Sequence, residues 1–300
     1  MAIKTVPMPH QGSFMDLISD YMALMKPRII FLLLFTTIGA MVMADEGMPS
    51  VKLIIVTMIG GALSAGGSGA INHFMDKDID RVMARTRGRP VANDRVSPRN
   101  ALVFGITLMA IAFVLFALGA NMLSAVLSLI GGLFYVFVYT KWLKRSSTQN
   151  IVIGGAAGAI PPLVGWAAVT GSLALPAWYM FTIVFFWTPP HFWALSLLLK
   201  DDYAAANVPM LPVIVGEPET RRMILLYTVV VVLLTAAFTL ASRLLGWIYL
   251  TTTLATGAYF IFTAVRLVRK PDRRNARKVF FYSMVYLGAV FLAIMIDSAI

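Results

Sequence analysis

No cysteine occurs among the 300 residues, which excludes disulfides, thiolate metal centres and cysteine nucleophiles. Charge is scarce as well. Asp, Glu, Lys and Arg make up 13% of the chain, where a soluble domain carries about 25%, so a water-soluble enzyme is excluded. Acids are the rarer sign, 14 against 25 Lys and Arg. The composition of a disordered chain is also missing, because 12% of the residues are aromatic and 59% hydrophobic. What is present is a very apolar chain, of mean hydropathy +0.80, that nonetheless carries a formal charge of +11. A polytopic membrane protein with its Lys and Arg confined to loops on one side satisfies both.

A helix needs about 20 mostly apolar residues to cross the hydrocarbon core. Nine such runs are found, at roughly 28–46, 52–73, 99–119, 122–140, 150–170, 176–199, 222–242, 246–268 and 277–297. The runs are continuous and lack strict alternation, so the expected class is all-α, nine transmembrane helices in one bundle, and a β-barrel is disfavoured. With the N-terminus in the cytoplasm, the inner segments hold all of the 25 Lys and Arg except Lys52 and Arg243. That asymmetry predicts an N-in, C-out topology. Residues 28–297 form the bundle and residues 1–27 a cytoplasmic tail. Phe14, Leu17, Ile18, Tyr21, Leu24 and Met25 share one helical face, the pattern of an interfacial helix on the lipid surface. Asp16 and Asp20 argue against a cleaved signal, and the tail is too poor in Arg for a mitochondrial leader, so a bacterial plasma membrane is the expected address.

More than half of the acids lie in two inner loops: Asp76, Asp78, Asp80 and Asp94, then Asp201, Asp202, Glu217 and Glu219. Asn72, Asp76 and Asp80 are spaced i, i+4, i+8 and would stack along one face of a helix. Three oxygen-bearing side chains at a helix end repel one another unless a cation sits among them. Mg²⁺ suits such a set, since it takes a few carboxylates and leaves positions for phosphate oxygens. Arg81, Arg85, Arg87, Arg89 and Arg95 follow, with the fork geometry that phosphate prefers. The pattern reads as a diphosphate site; the plainer alternative is a solvated helix end with its acids paired to arginine. Lys77 and Asp78 lie off the shared face and are given no role. Asp201 and Asp202 either hold a second ion or belong to a hydrated loop.

Two runs contain double prolines, Pro161-Pro162 and Pro189-Pro190, each freeing backbone carbonyls at membrane depth. His191 follows the second pair, about 13 Å along a helix from Lys200. An ionisable group at that depth is a functional candidate: a ligand to a metal in a substrate, a base, or a partner of a freed carbonyl. Lys141, Lys144 and Arg145 at the end of the fourth run are topology anchors that can also grip an acidic substrate. Gly154, Gly155 and Gly158 allow a close helix approach or leave room for a large flat ligand.

Asn72–Asp76–Asp80 followed by Arg81 and by Arg85-Thr86-Arg87-Gly88-Arg89-Pro90 resembles the first aspartate motif of the intramembrane aromatic prenyltransferases, which are nine-helix proteins. Three further segments resemble their haem branch: Tyr139-Thr140 through Lys144-Arg145 to Pro161-Pro162-Leu163-Val164-Gly165-Trp166; Trp187-Thr188-Pro189-Pro190-His191-Phe192-Trp193; and Asp202-Tyr203 with Pro209-Met210-Leu211-Pro212. The likeness runs from about residue 25 to 295. Many members carry Asp-x-x-x-Asp in the second loop, whereas Ala205 and Ala206 stand there, as in the haem branch. The resemblance implies farnesyl transfer from farnesyl diphosphate to a vinyl group of haem B, with water addition, giving haem O. It implies Asn72, Asp76 and Asp80 as holders of Mg²⁺ and diphosphate, Arg85 and Arg89 as support, and Asp202 and Tyr203 as the opposite wall. His191 is then expected to touch haem iron, and a haem-receiving oxidase is a candidate partner. One rival is a prenyltransferase of the same fold acting on a phenolic acceptor. Another is a transporter, which would place acids well inside the spans. A CDP-alcohol phosphotransferase would show an Asp-Gly-x-x-Ala-Arg signature, which is absent.

Overall fold

A computed structural model describes residues 13–300; the first twelve residues of the expected tail lie outside the described part. The amphipathic stretch of the tail is α1 (Phe14–Met25), started by a capping box in which Ser13 and Asp16 exchange hydrogen bonds. Phe14, Met15, Leu17, Ile18 and Met22 are exposed along it, the apolar face expected of a helix lying on lipid, while Leu24 is fully buried against Ala70, Val91, Val96 and Ala101. Lys26 then turns the chain in the left-handed conformation (φ 60°, ψ 57°), and Pro27 opens the first spanning helix.

Among the described residues nine helices are long and apolar enough to cross a membrane: α2 (Pro27–Asp45), α3 (Val51–Met75), α5 (Pro98–Gly119), α6 (Met122–Ser146), α7 (Asn150–Thr170), α8 (Leu175–Leu198), α11 (Glu217–Ala241), α12 (Trp247–Arg269) and α13 (Arg273–Ser298). Short helices α4 (Lys77–Val82), α9 (Lys200–Ala205) and α10 (Leu211–Ile214) lie in the loops of one end. The nine expected runs are all there. The largest difference is at α6, which continues six residues past Thr140, and its Phe134–Leu143 segment is a π-helix. A π-turn takes one more residue than an α-turn and is found most often at functional sites.

Small residues bring α3 and α5 backbone to backbone. A side chain at Gly67 would stand 2.6 Å from the Gly105 carbonyl oxygen, and one at Gly105 2.7 Å from that of Gly67. Asn121 joins the α5–α6 hairpin to α7, with its Oδ1 capping Ser124 and its Nδ2 donating to the Ala167 carbonyl at 2.6 Å. On the far side the indole of Trp187 in α8 donates to the Ser283 carbonyl of α13 at 2.7 Å. Asp297 at the end of α13 accepts from Gly246 and Tyr249 at the start of α12. The ends of α3, α6 and α8 and the start of α2 therefore gather at one end of the bundle, and the α11–α12 turn and the end of α13 at the other.

Candidate active site

Asn72 is one turn from the end of α3, and Asp76 is the residue on which the helix stops (φ −92°, ψ 10°). The helix is interrupted only at Asp76, and helical hydrogen bonds run through that residue, from Asp76 N to the Asn72 carbonyl at 2.9 Å and from Asp80 N to the Asp76 carbonyl at 2.7 Å. Asn72 and Asp76 touch each other, while Asp80 is held by Arg89. All three remain buried, at 3%, 0% and 1% exposure. A solvated helix end is thereby excluded.

The Asn72 amide donates to Asp76 Oδ2 at 2.7 Å and to Thr140 Oγ1 at 3.0 Å, and its Oδ1 accepts from the Lys26 ammonium at 2.6 Å. Lys144 Nζ donates to Asp76 Oδ2, and Arg145 lies 3.7 Å from Oδ1. Arg89 Nη1 donates to both oxygens of Asp80, at 2.9 and 2.8 Å. Two buried carboxylates thus face Lys26, Lys144 and Arg89, and the cluster keeps an excess of positive charge. Lys26 feels this directly: burial, with Arg89 nearby, pulls its ammonium down to about 7.

The second acidic loop reaches the first. Asp202 accepts from the backbone N–H of Ala84 at 3.3 Å and of Arg85 at 3.2 Å, which ties α9 to the loop after α4. Tyr203 is buried beside it. Burial holds its phenol above the ordinary value while the Arg85 guanidinium draws it back. Asp201 is exposed. Around the rim Arg145 clasps Asp78 through two 2.7 Å hydrogen bonds and holds that carboxyl down at about 2, against a partial cost of burial. Lys77 and Arg81 bind Asp94, and Arg95 binds Asp20 of α1 through both carboxylate oxygens at 3.0 Å. Asp78 and Lys77, given no role from their spacing, are rim residues.

Of the residues expected at the site, Asn72, Asp76, Asp80, Arg85, Arg89, Lys144, Arg145, Asp202 and Tyr203 come together. Lys141 does not; it is exposed and forms no ion pair among the described residues. The π-helix explains the split. Tyr135 and Thr140 are five residues apart and both reach the cluster through the i to i+5 winding of this segment, where five residues of α-helix would miss by about 140°; Lys144 follows four residues later. Lys26, Tyr135 and Thr140 also join the cluster, and the sequence pattern did not single them out. The one signal for Lys26 was a lone lysine between an amphipathic stretch and a Pro-started apolar run.

The donor set suits a hard divalent cation at its centre. Asp76 Oδ1 is a buried carboxylate oxygen with no hydrogen-bond partner among the described residues, the atom type that Mg²⁺ takes. No group of three or more His, Asp or Glu side chains converges on one point among the described residues, so any ion there shares its oxygens with Lys144, Lys26 and Arg89.

His191 lies deeper, in α8. Its ring is 8% exposed and stacks on Trp187 (4.4 Å, 18°) and on Phe280 of α13 (4.7 Å, 25°), with Phe192 edge-on at 5.2 Å. Its Nδ1 meets the Ser283 hydroxyl at 2.7 Å. Pro189 and Pro190 continue α8 without breaking it. In α7, a side chain at Gly158 would meet open space, in keeping with room for a ligand.

A protein of Trichormus variabilis named protoheme IX farnesyltransferase is 49% identical over 290 residues, covering 96% of this chain and 91% of that one. Relatives of the same name from Roseiflexus and Thermus thermophilus are longer, and the chain spans about half of their length. Among solved structures, one described as a digeranylgeranylglyceryl phosphate synthase superposes with a TM-score of 0.76 at 19% identity, covering 95% of this chain and 99% of that one. A UbiA homolog from Archaeoglobus fulgidus bound to GPP and Mg²⁺ gives 0.66 at 16% identity, over 92% and 99%. At these identities the two structures establish the fold. The UbiA prenyltransferase profile matches residues 32–285, nearly the whole bundle, and the chain belongs to the UbiA prenyltransferase family.

Proposed function

We propose that the protein is a Mg²⁺-dependent prenyltransferase that moves the farnesyl group of farnesyl diphosphate onto a vinyl group of haem B, with addition of water, to give haem O. The observation that carries the reading is the buried cluster in which Asp76 and Asp80 are outnumbered by Lys26, Lys144 and Arg89 at one mouth of an apolar bundle. Such a site is short of negative charge, and a diphosphate supplies it. The name of the Trichormus relative supports the acceptor, and the GPP and Mg²⁺ of the Archaeoglobus homolog support the donor and the ion.

Asn72, Asp76 and Asp80 would hold Mg²⁺, which when bound supplies a hard charge that stabilises the departing diphosphate. Lys26, Lys144, Arg85 and Arg89 place positive charge where the leaving oxygen gains negative charge, preorganised by burial and by Asp202 fixing the Arg85 backbone. The allylic C–O electron pair leaves with the diphosphate, and the haem vinyl attacks the allylic carbon. Water adds to the resulting porphyrin-stabilised cation as hydroxyl and releases one proton. The apolar bundle around this mouth keeps water away from the first cation. His191 binds the iron of haem B.

The protein works in a bacterial plasma membrane with this mouth toward the cytoplasm, where the Lys and Arg concentrate, and passes its product to a haem-receiving oxidase. The direct test is incubation of membranes carrying the protein with haem B, farnesyl diphosphate and Mg²⁺, with mass analysis of the extracted haems. A new haem heavier by one farnesyl group and one water is expected. Prenylation of an added phenol, with haem unchanged, would overturn the assignment of the acceptor.

A further inference from the structure

Ser283 is fully buried in α13, opposite His191 of α8. Its hydroxyl has a single proton, and that proton is committed: Ser283 Oγ donates to the Phe280 carbonyl one turn earlier at 2.6 Å. The contact of 2.7 Å between Ser283 Oγ and His191 Nδ1 therefore needs its proton from the imidazole. His191 is fixed as the Nδ1–H tautomer, and the lone pair of the neutral ring is on Nε2. Nε2 has no hydrogen-bond partner among the described residues. Stacking by Trp187 and Phe280 on the two faces sets the ring plane, and the Trp187 indole is itself held by the Ser283 backbone carbonyl at 2.7 Å. One residue thus controls both the tautomer and a wall of the box.

An imidazole with one N–H tied back to a protein acceptor and the other nitrogen free is the arrangement of a metal-ligating histidine, whose outer partner orients the ring and raises its basicity. The Phe280 carbonyl lies within hydrogen-bond reach of the imidazole as well; it belongs to α13 and is not one of the carbonyls that Pro189 and Pro190 free in α8. We propose that Ser283 is a positioning residue for haem: through the relay His191 Nδ1–H to Ser283 Oγ–H to the Phe280 carbonyl, it presents Nε2 of His191 as the ligand to the haem iron. This rests on the reading of haem B as acceptor with its iron on His191, and the variants separate the two.

The full-length protein in nanodiscs is titrated with haem B, followed by its Soret band and, in the ferrous form, by the iron–imidazole stretch in resonance Raman. His191→Ala is expected to remove the stretch and shift the Soret band. Ser283→Ala is expected to keep a histidine-ligated spectrum, with the stretch at lower frequency and haem affinity roughly 10–100-fold weaker, the usual effect of losing an outer partner. Ser283→Thr, which keeps the hydroxyl, restores both. The double variant behaves as His191→Ala alone. Should His191→Ala leave spectrum and affinity as in the parent, the iron-ligand reading falls. Should His191→Ala change them while Ser283→Ala does not, or should the two losses add in the double variant, the role of Ser283 falls. If Ser283→Ala does not give a monodisperse protein by size-exclusion chromatography, Ser283→Cys, with a weak acceptor of similar size, takes its place with the same expectations.

Discussion

The acceptors of the Lys26 ammonium are an amide and a phenol, Asn72 Oδ1 and Tyr135 OH, and no acid forms an ion pair with it among the described residues. The undescribed first twelve residues contain no Asp or Glu. Keeping an ammonium buried without a counter-ion is costly, and a diphosphate in the site would offset that cost. Lys26→Met is therefore expected to reduce turnover about 10–100-fold, as loss of one charge-assisted contact does, with the protein still monodisperse; unchanged steady-state haem O formation would remove Lys26 from the site. Asp76→Ala is expected to cost more, at least about 100-fold in turnover. Full activity of that variant with Mg²⁺ would show that its carboxylate is dispensable. Asp78 behaves differently because it belongs to the rim. Its carboxyl lies below the ordinary 3.8, at about 2, so the Arg145 pair contributes stability above pH 4 and loses it as the pH falls from 4 to 2. The difference in thermal stability between the parent and Asp78→Asn should shrink over that window; a difference that is constant from pH 7 down to pH 2.5 would contradict the pairing. Asn72, Asp76 and Asp80 were legible because oxygen-bearing side chains at regular spacing stand out in a chain so poor in acid. Lys26 was not, because its role depends on α1 folding back against α3, which no local pattern encodes.

At the scale of the element, α6 decides which basic residues serve the site. Hydropathy marks it as one span, and nothing in Phe134–Leu143 distinguishes π from α winding, since the same apolar and aromatic residues satisfy either. Reading the segment at 3.6 residues per turn, one cannot tell Lys141 from Lys144. The π-register turns Lys144 and Arg145 to Asp76 and leaves Lys141 exposed. Deleting Val138 takes one residue out of the π-segment, changes the rotation and rise of everything after it, and should separate Lys144 from Asp76. Activity should then fall to background in a protein that still inserts and elutes as a single species. Wild-type turnover after the deletion would mean that the register is immaterial. The double prolines illustrate the opposite case: they stand out at once as expected kinks in regular winding, yet α7 and α8 run through them, because packed neighbours hold the helices.

At the scale of the whole molecule, the nine long apolar helices among the described residues and the clustering of their ends follow from hydropathy and charge, since both obey rules set by the bilayer. The meeting of the two loops through Asp202 and the Ala84 and Arg85 amides could not be read the same way, because 117 residues separate Arg85 from Asp202. Orientation is testable without background labelling, as the chain has no cysteine. Gly88→Cys at the site end should react with a membrane-impermeant maleimide only in inside-out vesicles, and Met48→Cys at the opposite end only in intact cells. The reverse pattern would invert the proposed topology. The proposed function depends on a divalent ion and a ring of cations gripping a prenyl diphosphate. The most direct measurement is equilibrium binding of a non-reactive thio analogue of farnesyl diphosphate to the purified protein, with Mg²⁺ and with chelator. Saturable binding that needs Mg²⁺ and is lost in Asp76→Ala is predicted; no binding, or binding indifferent to both the ion and the substitution, would contradict it.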